Sequence, residues 1–238
     1  MSKKGNLILI PCPISEDGLN HLSAHVIQKC KQLKYFIVER ERTTRRFLKA
    51  IDKSIEIDEL SFHEINKNNP AEGLIEFLSK LNSGKNIGLL SEAGCPGVAD
   101  PGQLAVQWCH KNNYDVIPLV GPSSILLALM ASGFNGQSFA FNGYLPNKSP
   151  QLIQKLKQLE LKLNKTNQTQ LFMDAPYRNQ FLLSNCIQAL SPNTLLCIAS
   201  ELNGEKESIS VKSISNWKKV NPEIYHKRPA IFAIGKYG

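Results

Sequence analysis

The chain has 238 residues, of which 42% are hydrophobic and 20% charged, and its formal net charge is +8. A chain of this length forms one large domain or two small ones, and its hydrophobic content excludes intrinsic disorder. Its longest apolar run, Ile125–Ala131, is far shorter than the ~20 residues that span a bilayer, which excludes a membrane protein.

The first half of the chain alternates short apolar runs with helical patterns, which is typical of βαβ units and predicts a mostly parallel sheet. The predicted strands are Leu7–Ile10, Tyr35–Glu39, Ile57–Phe62, Ile87–Leu90 and Val116–Val120, and helices are predicted near residues 20–33, 43–51, 71–82 and 102–112. The first strand is too short for the core of a signal peptide, so we expect a cytoplasmic protein. A further helix, Ser123–Ser132, is almost wholly apolar, and we expect it to be buried, for example at a subunit interface.

A turn-rich segment, Gly133–Gln137, predicts the boundary between two α/β lobes, residues 1–133 and 138–238. Beyond it the predicted strands are Ser138–Gly143, Leu171–Asp174, Leu195–Ser200, Glu207–Val211 and Ala230–Ile234, and helices are predicted near residues 149–162 and 177–190. The turn Asn203-Gly204 between two of these strands predicts a hairpin. The second lobe is therefore expected to hold a mixed sheet.

The cysteines and the distribution of charge further limit the kinds of site that the chain can hold. The six cysteines form no C-x-x-C pair, and we expect them to be reduced, buried thiols rather than metal ligands. Residues 1–120 hold 15 basic and 14 acidic side chains, whereas residues 121–238 hold 13 and 6. This asymmetry fits either a lysine-rich solvated surface or a surface for a polyanion such as RNA, and charge alone does not decide between them.

Three loops follow the carboxyl ends of predicted strands and suit a ligand site. They are Pro11–Pro13, Ser91–Gly102 and Gly121–Ser124. The second holds three glycines and two prolines, a composition that lets backbone groups approach a ligand closely, although a structural turn could look the same. We predict that Asp100 caps a helix that begins at Pro101. Ser123 and Ser124 precede a helix, where an anion site and ordinary capping are both open.

Several segments also match, in order, the motifs of one known family. They are Glu39–Arg46, Ser61–Asn66, Gly94–Gly102, Gly121–Ser124 with Ala131–Gly133, Phe141–Pro146, Phe172–Arg178 and Ser200–Leu202. Together they resemble the small-subunit ribosomal RNA methyltransferase I family, in the tetrapyrrole methylase superfamily of S-adenosylmethionine enzymes. The chain departs from the family pattern at Arg40, where the pattern is acidic, at Glu92, where it has Asp, and at Cys95, where it has Thr.

The resemblance implies a tetrapyrrole methylase-like fold of two α/β lobes with the cofactor cleft between them. It implies an S-adenosylmethionine-dependent methyltransferase, a homodimer that needs no metal and 2′-O-methylates a cytidine ribose in ribosomal RNA of the small subunit. The cofactor contacts that it implies are Pro11, Gly94, Cys95, Pro96, Val98, Ser123, Ser124, Met173 and Ala230.

Candidate catalytic and RNA-binding residues follow from the same match. A ribose hydroxyl must lose its proton, and Glu39 is the first candidate for the base, ahead of Asp100, with capping or ion pairing as the alternative for both. Arg42, Arg45 and Arg46 are predicted to contact RNA phosphates, and a solvated helix face is the alternative.

Two other functions remain open from the sequence. One is a methyltransferase that acts on a small tetrapyrrole-like or peptide substrate. The other is a non-catalytic RNA-binding paralogue, which would have lost its cofactor site through the substitutions in the loops.

Overall fold

The computed structural model describes residues 4–237, which divide into two compact units, one ending at Ser123 and the other beginning at Ser124. Each unit contains a five-stranded sheet. The predicted boundary, Gly133–Gln137, comes after the apolar helix Ser124–Ser132. That helix packs against strands of the second sheet and therefore belongs to the second unit.

The first unit has a sheet in which every strand pair is parallel, as the βαβ pattern predicts. Its strands are β1 (Leu7–Leu9), β2 (Tyr35–Val38), β3 (Ser61–Glu64), β4 (Ile87–Leu90) and β5 (Val116–Pro118), and its helices are α1 (Ala24–Gln32), α2 (Glu41–Ile51), α3 (Leu74–Leu78) and α4 (Gln103–Lys111). The strand order is β3-β2-β4-β1-β5. All five carboxyl ends therefore lie at one edge of the sheet.

Two local predictions for this unit are wrong. The segment Ile57–Phe62 is not one strand, because Ile57–Glu59 forms a 3₁₀ turn and β3 begins only at Ser61. The turn lets Ile57 pack against the apolar core. The second error concerns α4, which starts at Gln103 after Gly102, so that Asp100 does not cap it. Gly102 has a φ of 132° that only glycine adopts readily.

The strands of the first unit are covered by helices on both faces. Because side chains alternate along a strand, Leu7 and Leu89 pack with α3 and α4, whereas Ile8 and Phe36 pack with α1 and α2. The chain leaves β1 and β4, which are neighbours, toward opposite sides of the sheet. Ligands of open α/β sheets bind at such a topological switch point, outside the carboxyl ends of the strands.

The second unit has the mixed sheet that the sequence predicts, with order β6-β7-β10-β8-β9. Its strands are β6 (Phe139–Tyr144), β7 (Thr169–Met173), β8 (Leu195–Ser200), β9 (Ser208–Ser213) and β10 (Ala230–Gly235), and its helices are α5 (Ser124–Ser132), α6 (Ser149–Thr166), α7 (Asn179–Ala189) and α8 (Ile214–Trp217). Strands β6 and β7 are parallel, and the other pairs are antiparallel, including the predicted hairpin β8–β9.

Helix α5 is only partly buried within the single chain, so its burial at a subunit interface stays a prediction. Ile125, Ala128 and Leu129 lie in the interior, but Leu126 is 50% exposed and Met130 is 76% exposed. One apolar face of α5 is thus open in the single chain. None of the helices described in residues 4–237 is long and apolar enough to cross a bilayer.

The six cysteines, all of which lie within the described residues, are free thiols, and five of them are buried as predicted. Burial raises the pKa of Cys30 to about 12 and that of Cys109 to about 11. These thiols are therefore protonated and unreactive at neutral pH. Only Cys95 is half-buried, and it lies in the loop that follows β4.

Candidate functional site

The loops that follow β1 and β4 are joined at the switch point of the first sheet. The amide of Cys12 donates to the carbonyl oxygen of Gly94 at 2.9 Å, and the amide of Gly94 donates to the carbonyl oxygen of Cys12 at 3.0 Å. This isolated antiparallel bridge fixes the two loops to each other. Two of the three loops selected from the sequence therefore form one structural element.

The third loop, after β5, packs against the other two. A Cβ atom on Gly121 would overlap both Cβ and Cγ of Pro11, so only glycine fits there. The thiol of Cys95 lies 3.5 Å from the carbonyl oxygen of Pro122. Pro11, Gly94, Cys95 and the residues just before Ser123 are thus brought together at one edge of the first sheet.

The loop after β4 has an unusual backbone. Gly94 and Gly97 have φ angles of 69° and 79°, and Ala99 has a φ of 64°. A Cβ atom on Gly97 would meet nothing within 4 Å, and one on Gly94 would make only ordinary contacts. Glycine is therefore favoured at Gly94 and Gly97 by backbone conformation and not by crowding, and the turn at Gly97 has open space beside its backbone.

The other predicted cofactor residues differ in exposure. Pro96 is buried, Val98 is 48% exposed, and Ser123 is half-buried. In the second unit, Ser124 is the first residue of α5, Met173 ends β7, and Ala230 begins β10. Because Met173 pairs with Ile231 across the sheet, Met173 and Ala230 lie at the same edge of that sheet.

Glu39, the first candidate base, is held by two partners. Its Oε2 accepts a hydrogen bond from the amide of Glu92 at 3.2 Å, and its Oε1 is paired with Nζ of Lys67 at 3.3 Å. Its side chain is only 11% exposed. The ion pair with Lys67 is the kind of contact that the sequence left open as the alternative role of Glu39. Through its hydrogen bond with Glu92, the carboxylate also connects the end of β2 to the loop after β4.

Glu92 links the same loop to the start of α2. Its Oε1 accepts a hydrogen bond from the hydroxyl of Thr43 at 3.0 Å, and its Oε2 lies 3.4 Å from Nε of Arg40. Glu92 was not among the predicted site residues. The match of Ser91–Gly94 to a family motif is the signal that could have identified it.

Asp100, the second candidate base, has a perturbed acidity. Partial burial, followed by the negative charge of Glu39, raises its pKa to about 6, with a smaller contribution from Glu92. A hydrogen bond from Ser91 and the charge of Lys67 act in the opposite direction. A carboxyl group that titrates near neutral pH is suited to proton transfer.

An open depression of about 530 Å³ lies beside Glu39, at the carboxyl ends of β2 and β3. It is lined by Glu39, Arg40, Arg42, Glu64, Ile65, Asn66 and Lys67. Only Glu39 and Arg42 among them are predicted from the sequence, although the segment Ser61–Asn66 matches a family motif and directly precedes Lys67. Within residues 4–237, no group of three or more His, Cys, Asp or Glu side chains is arranged to hold a metal ion.

The three predicted RNA-binding arginines have different surroundings. Arg42 lines the depression. Arg45 is paired with Glu41 at 2.7 Å, and its guanidinium lies 5.3 Å from the centre of the Phe62 ring. Arg46 is exposed and makes no ion pair with any residue that the structure describes. The structure therefore places Arg42 beside Glu39, while Arg45 has the intrahelical partner expected of a solvated helix face.

Curated relatives of this chain share one name. Ribosomal RNA small subunit methyltransferase I of Bacillus subtilis is 34% identical over 214 residues, which cover 90% of this chain and 69% of that protein. The protein of that name from Synechocystis is 31% identical over 201 residues, covering 83% of this chain and 67% of the relative. The one from Buchnera aphidicola is 29% identical over 238 residues, covering 98% and 79%. No protein-family model matches the chain.

Three solved structures with a similar fold are distant from this chain in sequence. Diphthine synthase superimposes with a TM-score of 0.69 at 12% identity, covering 97% of this chain and 90% of that chain. The methyltransferase CobJ gives a TM-score of 0.65 at 14% identity, covering 98% and 94%. Uroporphyrin-III C-methyltransferase from Thermus thermophilus, complexed with S-adenosyl homocysteine, gives 0.56 at 15% identity, covering 98% of each. These matches show that the two α/β units have the fold that these three proteins share.

Proposed function

Since this chain belongs to the ribosomal RNA small subunit methyltransferase I family, we propose that it transfers a methyl group from S-adenosylmethionine to RNA of the small ribosomal subunit. The observation that carries the proposal is the convergence of the loops after β1, β4 and β5 at the switch point of the first sheet. The positive φ angles of the middle loop leave its backbone free to approach a ligand.

In this proposal the cofactor contacts within the first unit are Pro11, Gly94, Cys95, Pro96, Val98 and Ser123. Ser124, Met173 and Ala230, which lie in the second unit, are proposed as contacts from the family resemblance alone. The open space beside Gly97, which has no Cβ and a φ of 79°, fits a bound cofactor because nothing within 4 Å competes for it. One of the fold neighbours binds S-adenosyl homocysteine, which supports the same class of ligand.

When bound, S-adenosylmethionine supplies a methyl group on a positively charged sulfur, and the acceptor oxygen displaces that sulfur. The chain then has two tasks, which are to hold the acceptor in line and to take up its proton. Alignment of two reactants contributes about 7–11 kcal/mol toward the barrier of such a reaction. We infer that Asp100 is better suited than Glu39 to accept the proton, because its pKa is about 6 whereas both oxygens of Glu39 are already engaged.

The proposed acceptor is the ribose 2′-hydroxyl of a cytidine in ribosomal RNA, which places the protein in the cytoplasm. The names of the relatives and the excess of basic residues in the second half of the chain support RNA of the small subunit as the substrate, whereas the cytidine 2′-hydroxyl comes from the family resemblance. Cationic side chains that contact phosphates position an RNA without specifying its sequence. Arg42, Arg45 and Arg46 are the proposed phosphate contacts of the first unit.

We also propose a homodimer that buries the open face of α5. Leu126 and Met130 are exposed on this apolar helix in the single chain. Burial of a large apolar side chain stabilises an interface by about 1.5–3 kcal/mol, which gives this face a reason to be covered.

The test of the proposed function is methylation of purified small subunits. Subunits from a strain that lacks the gene are incubated with the protein and S-adenosylmethionine carrying a labelled methyl group, and the modified nucleotide is then mapped. The expected result is a single labelled cytidine ribose in the RNA. Label in a protein or a small tetrapyrrole instead would favour the other substrate class, and binding of RNA without transfer would favour a non-catalytic paralogue.

A further inference from the structure

We propose that the depression lined by Arg42 and Lys67 is the subsite for a phosphate group of the acceptor nucleotide. We call it the acceptor depression, and it comprises the seven residues that surround the carboxyl ends of β2 and β3. The inference rests on the proposed function, because it names the part of the RNA that this surface would hold. Its volume of about 530 Å³ lies within the range of small-molecule sites, roughly 300–1,000 Å³.

The charged side chains that line the acceptor depression favour the binding of an anion. Three cations line it, namely Arg40, Arg42 and Lys67, together with the carboxylates of Glu39 and Glu64. Arg40 is paired with Glu92 and Lys67 with Glu39, whereas Arg42 makes no ion pair with any described residue. A guanidinium without a carboxylate partner is suited to bind phosphate through two parallel hydrogen bonds.

Lys67 is the second expected phosphate contact. Its side chain is 62% exposed, and its ammonium group lies 3.3 Å from Glu39, so its pairing is that of a solvated surface cation. Such an exposed ion pair contributes little to the stability of the fold. An incoming phosphate can therefore compete with Glu39 for the ammonium group. The Oε2 atom of Glu64, the other carboxylate of the acceptor depression, accepts a hydrogen bond from the amide of Glu41 at 2.8 Å.

The acceptor depression is also connected to the loop that contains Gly94. Glu92 lies two residues before Gly94, donates its amide to Glu39 and binds Arg40 and Thr43 through its carboxylate. The loop that contains Gly94 is thus bonded through Glu92 to two residues that line the acceptor depression, Glu39 and Arg40. Arg40 and Glu92 are two positions at which the chain departs from the family pattern, and they form an ion pair with each other.

The experiment compares Arg42→Ala and Lys67→Ala with Lys49→Ala, which removes the same charge from an exposed position of α2 outside the acceptor depression. Lys49 donates a hydrogen bond to the carbonyl oxygen of Lys53, at the far end of α2, so its removal does not disturb the site. Binding of a ribosomal RNA fragment is measured at several salt concentrations, and binding of S-adenosyl homocysteine is measured by calorimetry. Melting temperatures show whether each variant is folded.

We expect Arg42→Ala and Lys67→Ala to weaken RNA binding about tenfold and to lower the slope of log K against log salt by roughly 0.7–0.9 for each phosphate-binding cation removed. Lys49→Ala should change RNA affinity less than twofold, and all three variants should bind S-adenosyl homocysteine like the parent. Arg42→Lys should restore the salt slope but only part of the affinity, because a lysine does not form two parallel hydrogen bonds.

Equal weakening of RNA binding in Arg42→Ala and Lys49→Ala, or parent-like binding in Arg42→Ala and Lys67→Ala, would overturn the inference. In either case continued methylation of small subunits would leave the proposed function intact. Absence of methylation by the parent protein, by contrast, would contradict the proposed function itself.

Discussion

Cys12 and Gly94 exchange two backbone hydrogen bonds, of 2.9 and 3.0 Å, although they lie in different loops and far apart in the sequence. Their bridge joins the loops that follow β1 and β4, the two strands that flank the switch point of the first sheet. Because the hydrogen bonds use backbone groups, the arrangement does not depend on the side chain at position 12 or 94. It does depend on the positive φ of Gly94.

The first prediction concerns Gly94→Val. An L-residue at a φ of 69° costs roughly 1–2 kcal/mol, and a branched side chain would also occupy the space around the turn. We expect the variant to fold but to lose binding of S-adenosyl homocysteine in calorimetry. Gly94→Ala is the control, since it also places an L-residue at this φ but adds little volume, and it should retain weakened binding. Parent-like affinity in folded Gly94→Val would mean that the turn is only structural.

The second prediction concerns Asp100→Asn and pH. The pKa of Asp100 is raised to about 6 by burial and by Glu39, so the folded state binds its proton more tightly than the unfolded state does. The parent should therefore lose stability as pH rises from 4 to 6, a loss that the asparagine variant avoids. The melting temperature of Asp100→Asn, relative to the parent, should increase across this window and stay constant above pH 7. A difference that is the same at pH 4 and pH 8 would contradict the raised pKa.

The third prediction concerns the double variant Arg45→Ala/Arg46→Ala. If these arginines contact phosphates, RNA binding should weaken and its salt slope should fall by roughly 0.7–0.9 for each contact. We expect Arg46 to account for most of the effect, because Arg45 is already paired with Glu41. Affinity for S-adenosyl homocysteine serves as the control and should not change. Unchanged RNA affinity and slope would show a solvated helix face and would favour a small substrate.

The fourth prediction uses the thiols. Cys95 is the only half-buried cysteine, and the other five are buried. Treatment of the native protein with N-ethylmaleimide should modify Cys95 first, slowly at neutral pH because partial burial raises its pKa. Bound S-adenosyl homocysteine should slow the modification, as followed by mass spectrometry of peptides. Equal labelling with and without the ligand would place the ligand away from this loop.

The fifth prediction concerns assembly. Light scattering at micromolar concentration should give the mass of a dimer for the parent protein. Met130→Glu places a charge on the open face of α5 and should shift the mass toward that of one chain, whereas Lys165→Glu, at the end of α6, should not. A parent protein that is already monomeric would remove the dimer from the proposal.

Much of the fold was accessible from the sequence. Apolar periodicity located β4 and β8 to the residue, and the alternation of strands and helices predicted the parallel sheet. Errors arose where a local sequence pattern is compatible with more than one backbone conformation. Ile57–Phe62 is apolar enough for a strand, but Ile57 reaches the core from a 3₁₀ turn instead. The family resemblance, which rested on seven motifs in order, is confirmed by the curated relatives.

The sequence by itself determined the fold class, the family and the glycine-rich loops, because these depend on periodicity, order and residue type. Only the tertiary structure decided which side chains meet. Glu39 and Glu92 are hydrogen-bonded because β2 and β4 are neighbours in the sheet, a pairing that no local pattern specifies. The pKa of Asp100 rises for the same reason, since burial and the charge of Glu39 act through space and not along the chain.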